Sequence, residues 1–373
     1  MKYFHLFILL ISTITVSARS IVLPVKGQGI YIKDVQNQLN TQPGDTLLIP
    51  TDFNIANIGL FEVHGSATRP IVITTDRKNP DFVIGGYKSY AFKMGVSSYF
   101  KLYRIKVNEQ NAGGIGIRIG EGCTDYTIDH CEVFNASIGI QCKWDPDKLN
   151  INSPLNYPIG AIKNVVITNN YVHDLTNEGY YIGHTFSGLA NSTAVPAPII
   201  GLKFYNNKSE NTGWDGAQFT NAQNCDVRNV QIINAGIAKR GGQSSGMPIQ
   251  DATTGTFDSI YVNGSSGSGI QIFSKGDIKV SNVWLINTAQ NINSSAIFVD
   301  NRSDRGMGLP PQKLLLKNIT INGGSRFPLY VLNGDRTAVP GRIINLTYSG
   351  FKAKIVDNNG DEFIGGSEGT SKR

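Results

Sequence analysis

Glu178 and Asp215 each stand immediately before a glycine that opens a short apolar-x-apolar run, Gly179-Tyr180-Tyr181-Ile182 and Gly216-Ala217-Gln218-Phe219. If these runs are the same strand in successive turns of a repeat, the two acids lie about 5 Å apart, the spacing of hydrogen-bonded strands. Paired carboxylates can share a proton, bind Ca2+ or divide acid and base work. The groups suited to proton transfer or to neutralising an anion beside them are Tyr181, His184, Lys239 and Arg240. With Glu178 and Asp215 they form the catalytic candidates, and the two acids are also the candidate Ca2+ ligands. Lys143, Trp214, Gln218, Gln250, Asp251 and Gln271 are the candidates for holding a substrate. The plainer reading is that like charges on neighbouring strands are tolerated at a wet surface, or neutralised by Lys239 or Arg240. His173-Asp174 reads as the end of a turn. Asp145-Pro146-Asp147 is either a cation loop or an ordinary Asp turn.

The elements that would position these groups follow from two alternating patterns. One is a small residue followed by apolar-x-apolar, as at Gly116-Ile117-Arg118-Ile119, Gly139-Ile140-Gln141-Cys142 and Gly269-Ile270-Gln271-Ile272. The other is apolar-x-Asn-x-x-apolar, centred on Asn169, Asn229 and Asn282, with His130, Asn206, Ser259, Asn318 and Asn345 at the same place in related copies. The shortest interval from the first pattern to the second is 10 residues and the usual return is 13, a basic coil of 23. Such a coil cannot bury its apolar side alone, so successive coils must stack. Period-2 alternation then turns Ile117 and Ile119 inward, and Arg118, Gln141, Tyr181, Gln218 and Gln271 outward. The recurring Asn suits a left-handed turn, with its amide free to bond one coil away.

At these residues the chain resembles the pectate-lyase-like superfamily, whose interior Asn ladder the column matches. The resemblance extends to Lys33 to Asn40, similar to a capping helix, to Pro43-Gly44-Asp45-Thr46 and to Gly65 to Ile73, and covers roughly Gln28 to Lys352. It implies an all-β, single-domain, right-handed parallel β-helix with a short N-terminal capping helix. It also implies a lyase acting on a uronic-acid polymer, the activity of many members. The Asn-Thr-Asp, Asp-Asp and Gly-His-Gly motifs of polygalacturonases and the Trp-Ile-Asp-His motif of pectate lyases are absent. Arg104-Ile105-Lys106 matches a basic tripeptide of the former only by chance, being early and on the ladder strand. No catalytic residue is carried over from either family.

Insertions in a solenoid become loops on one face. The interval Cys142 to Asn169 is 27 residues and Ile182 to Asn206 is 24, so Lys143 to Ala161 and Gly183 to Ile199 should stand as one wall. Asn229 to Ile249 is 20 against the usual 13, placing Ala238-Lys239-Arg240-Gly241-Gly242-Gln243 as a facing, basic wall. Between them the outward faces of Glu178 to Ile182, Asp215 to Phe219 and Ser245 to Gln250 would floor a groove, with Trp214 or Tyr181 as a platform for a sugar ring.

Residues 1–18 read as a secretory signal, with Lys2, the apolar run from Phe4 to Val16 and Val16-Ser17-Ala18 before the cut. The expectation is secretion, extracellular or periplasmic, with the β-helix over 19–364 and a disordered tail over 365–373. The net charge of +6 and pI near 9.0 favour anionic partners. With only 17% charged residues and no Lys/Arg cluster, nucleic acid is excluded as a partner, and no later run is long enough for a membrane span. Cys123, Cys131, Cys142 and Cys225 are either buried thiols or include one disulfide. The leading expectation is therefore a secreted monomer that cleaves an acidic polysaccharide by β-elimination. A glycoside hydrolase using Glu178, Asp215 or Asp251, and a glycan-binding surface protein without catalysis, are the alternatives.

Overall fold

Alternate residues of nearly every strand are buried, and their register shows how. In the computed structural model, Lys313–Asn322 buries Leu314, Leu316, Ile319 and Ile321. These stack on Ile278, Val280, Val283 and Leu285 of Asp277–Ile286, one coil earlier. The structure describes residues 17–34, 38–86, 89–109, 113–144, 160–185, 197–274, 276–291, 293–300, 313–324, 326–332, 342–351 and 356–357. Within them the strands form a 16-stranded, a 12-stranded and a 3-stranded sheet, and the pairings between strands are parallel. The buried apolar side chains form one continuous cluster from Leu23 to Leu346. This is a parallel β-helix.

Paired residues are 23 apart at Ile117↔Ile140, Phe204↔Val227, Ile249↔Ile272 and Phe257↔Val280. The offset rises to 40 at Ile140↔Tyr180, 37 at Tyr180↔Ala217 and 30 at Phe219↔Ile249. The long coils are therefore consecutive and surround strands Tyr180–Ile182 and Ala217–Thr220. Most of the wall expected from Lys143 to Ala161 and Gly183 to Ile199 lies outside the described residues, as do Asp145-Pro146-Asp147, residues 1–16 and the tail after 357.

The polar column corrects one expectation. Arg104, His130, Asn169, Asn206, Asn229, Ser259, Asn282, Asn318 and Asn345 all have φ between 54° and 57°. Amides link Asn169, Asn206 and Asn229 in one series, with Asn206 Nδ2 to Asn169 Oδ1 at 3.2 Å and Asn229 Nδ2 to Asn206 Oδ1 at 3.0 Å, and Asn282, Asn318 and Asn345 in another. This ladder lies at the surface rather than inside. The interior amides come one residue later. Asn207 Oδ1 accepts from both Asn170 N and Asn170 Nδ2 at 3.0 Å, and Asn207 Nδ2 donates to Ile167 O at 2.8 Å. Arg104-Ile105-Lys106 is part of the same frame: Arg104 takes the left-handed turn, Ile105 is core, and Lys106 pairs with Glu132 at 3.2 Å.

The four cysteines are free and buried, and burial pushes the Cys123, Cys131 and Cys142 thiols up to about 12. Of the expected capping helix, Lys33 instead ends strand Gly29–Lys33, residues 35–37 lie outside the described set, and no α-helix occurs among the described residues. Arg19 fastens the first coil. Its backbone N–H donates to the buried Asp45 carboxylate at 3.0 Å, and its guanidinium pairs with the same group at 2.5 Å.

Candidate functional site

The residue before each strand glycine sits where the chain turns into the 12-stranded sheet. Gly139 N donates to Glu178 O, Gly179 N to Asp215 O and Gly216 N to Ser245 O, at 3.0–3.1 Å, so Glu178, Asp215 and Ser245 are stacked on consecutive coils. Glycine is required beside them. A Cβ on Gly179 would lie closer than 3.0 Å to the Gly216 carbonyl oxygen, and one on Gly216 equally close to that of Gly246. This close approach draws the preceding acids inward.

The acids do not line an open floor: Glu178 is 2% and Asp215 0% exposed. Asp215 Oδ1 accepts from Ser245 N at 2.7 Å, while Asp215 Oδ2 and Glu178 Oε2 are buried without a hydrogen-bond partner. Burial pushes the Asp215 carboxyl well above the usual carboxylate range, and the nearby Glu178 charge pushes it further. Burial also raises Glu178, opposed by the charges of Arg240 and Lys143. Residues 143 and 240 belong to the two stretches expected as walls.

Those cations rest on aromatic rings. Lys143 Nζ lies 5.2 Å from the centre of the Tyr181 ring, and the Arg240 guanidinium 3.8 Å from that of Trp214. Tyr181 Oη meets Thr185 Oγ1 at 3.3 Å, and Gln218 Nε2 donates to the same hydroxyl at 2.8 Å. The chain after Ile182 thus folds across the outward face. This contributes to the burial of Gln218, which, expected outside, is 3% exposed; Gln141, also expected outside, is 4% exposed. Gln271 Oε1 accepts from Ser245 Oγ at 3.3 Å and so joins the same neighbourhood.

His184, Gln250 and Asp251 lie elsewhere. Thr220 Oγ1 donates to Asp251 Oδ2 at 2.8 Å and to His184 O at 3.4 Å, at the far ends of the strands. Five residues of strand separate Asp215 from Thr220, roughly 16 Å. Gln250, next to Asp251, is nearly buried. Lys239 is exposed at a left-handed turn, its backbone N–H bound to Gly236 O at 2.8 Å, and Arg240 is the cation that turns to the aromatic pair. His173 is on the other large sheet, stacked 4.3 Å from Tyr171 and bonded to Asp174 at 2.7 Å.

Ser245 and Thr185 lie in the stretches expected as floor and wall but were not singled out as site residues. Ser245 carried a signal, since it precedes Gly246 as Asp215 precedes Gly216. Calcium fits poorly: it takes about 6–8 oxygen ligands. No group of three metal-ligating side chains occurs among the described residues, and the charges of Arg240 and Lys143 already act on Glu178. The pair can instead anchor cations or exchange a proton.

No protein-family model matches the chain, and no curated protein matches it. Among solved structures it is similar to the GH136 lacto-N-biosidase from Eubacterium ramulus, at 9% identity and a TM-score of 0.50 over 87% of this chain and 62% of that one. It is also similar to an alginate lyase from Paenibacillus sp., at 14% identity and TM-score 0.47, over 92% and 97% of the two chains. The A-module of a mannuronan C-5 epimerase from Azotobacter vinelandii is matched at 13% identity and TM-score 0.43, over 95% and 90%. The chain thus spans about three fifths of the lacto-N-biosidase. At these identities the likeness concerns the fold, and it agrees with the sheet register: the chain is a parallel β-helix protein.

Proposed function

We propose that this protein is an enzyme that binds an extended acidic polysaccharide and cleaves it by β-elimination. The observation that carries the reading is the arrangement of Lys143 on Tyr181 and Arg240 on Trp214 about the buried Glu178. A uronate needs its carboxylate neutralised before the C5 proton becomes acidic, and the two cations whose charges act on the buried Glu178 would supply that charge. Aromatic faces beside them suit sugar rings. In this scheme Lys143 and Arg240 take the substrate carboxylate. In its deprotonated form Tyr181 Oη removes the C5 proton; the C5 electron pair forms the C4–C5 double bond, and the C4–O bond breaks. The regained Tyr181 proton passes to the departing glycosidic oxygen. Glu178 positions the cations, and Asp215 remains neutral beneath it.

One observation favours a second reading. Burial raises Glu178, the direction that glycoside hydrolysis requires of its general acid. Incubation with alginate, pectate and glycosaminoglycans separates the two. Elimination gives products with the ultraviolet absorbance of an unsaturated uronate, whereas hydrolysis gives new reducing ends without it. Neither product from any of these polymers would end the catalytic reading.

A further inference from the structure

Arg118 stands on the outward face of strand Ile115–Ile119, in register with Gln141 on the next coil and, through it, with Tyr181 on the coil after that. Its Nε is buried without a hydrogen-bond partner, as is Oε1 of the 4% exposed Gln141. Lys93, the register partner of Arg118 on the preceding coil, is engaged by Glu121 Oε1 at 2.6 Å, and the other Glu121 oxygen is also buried and unpartnered. Arg118 thus holds an unfilled donor in register with the unfilled acceptor of Gln141, and a further unfilled acceptor belongs to Glu121, the partner of Lys93 one coil earlier. Buried groups of this kind are normally satisfied, and their cost is recovered by a ligand that both accepts and donates.

A sugar hydroxyl does both, accepting from Arg118 and donating to Gln141 or Glu121. The guanidinium also suits a carboxylate, for which its planar donors are matched. We propose that Arg118, Gln141 and Glu121 form a subsite for one acidic sugar unit. It lies two coils, or about 10 Å, to the N-terminal side of Tyr181. The subsite rests on the reading of the substrate as an acidic polysaccharide and assigns its direction, along the stack and across the strands. In a glycan whose units alternate in facing, carboxylates two units apart point the same way. One chain then presents one carboxylate to Arg118 and another to Lys143 and Arg240.

The test is binding, in a Glu178→Gln/Tyr181→Phe background that removes both proposed catalytic routes. Titration with alginate, pectate and hyaluronan is compared with their carboxyl-reduced forms. Arg118→Ala is expected to weaken binding of the acidic polymer that binds best by about tenfold, the scale of one charge-assisted contact. Arg118→Lys should restore part of it, and the reduced polymer should show no such loss. Unchanged affinity in Arg118→Ala, or equal loss with acidic and reduced polymers, overturns the subsite alone. Binding by the unsubstituted protein without product overturns the catalytic reading alone and leaves the subsite standing. No binding of any acidic polymer overturns both.

Discussion

Asp215 is where burial has the sharpest consequence. Its folded-state pKa lies well above the unfolded value near 3.9. The folded protein therefore holds a proton that the unfolded chain releases. The resulting stability is full below about pH 4 and is lost as pH rises toward the folded pKa, with a slope approaching about 1.4 kcal/mol per pH unit for one proton. Glu178 acts in the same direction. Denaturant midpoints across this range should fall for the parent protein and flatten in Asp215→Asn; parallel curves would mean that Asp215 is ionised in the fold. Tyr181→Phe tests the elimination scheme: kcat on the cleaved polymer should fall at least about a hundredfold, the scale of general acid–base catalysis, with KM little changed. The acids were legible from their position before the glycines, but their burial was not. Alternation applies along a strand, and these residues precede it, at a corner drawn in by Gly179 and Gly216.

Coil stacking was readable because it repeats. The glycine and Asn columns mark the same backbone event in each turn, so even the substitutes His130 and Ser259 take the same left-handed φ. The error lay in placing the Asn column inside, since a shift of one residue exchanges the two faces of a strand. The asymmetry is measurable. Asn207→Ala should destabilise the protein by roughly 1–3 kcal/mol for each donor or acceptor it strands, whereas Asn206→Gly, exposed and suited to left-handed backbone, should cost far less. Gly216→Ala should cost on the order of 1–3 kcal/mol as overpacking, because its Cβ meets both the Gly246 carbonyl and Ile232. Urea unfolding of the three variants checks the ranking. What local pattern did not show was the cover over Gln141 and Gln218. For Gln218 it follows from Thr185, beyond the strand end, whose hydroxyl meets the Gln218 amide.

Across the whole molecule, the charge of +6 would be the lever on the anionic polymer proposed as substrate. Retention on an immobilised acidic polysaccharide should weaken steadily with added salt, as screening shortens the reach of Lys143, Arg240 and their neighbours. Retention that does not respond to salt would remove charge from the account of recognition. The solenoid adds a thermodynamic point: each coil contacts only its neighbours, so the end coils set where unfolding starts. The first coil is tied by Arg19, whose backbone nitrogen already points at the buried Asp45 carboxylate. If the leader is removed after Ala18, that neutral amide becomes an ammonium without moving, and a hydrogen bond becomes an ion pair. Removal of the proposed leader would then also tighten the first coil. A chain beginning at Arg19 should melt higher than one retaining residues before it, and the gain should fade above pH 8, as the new terminus loses its proton.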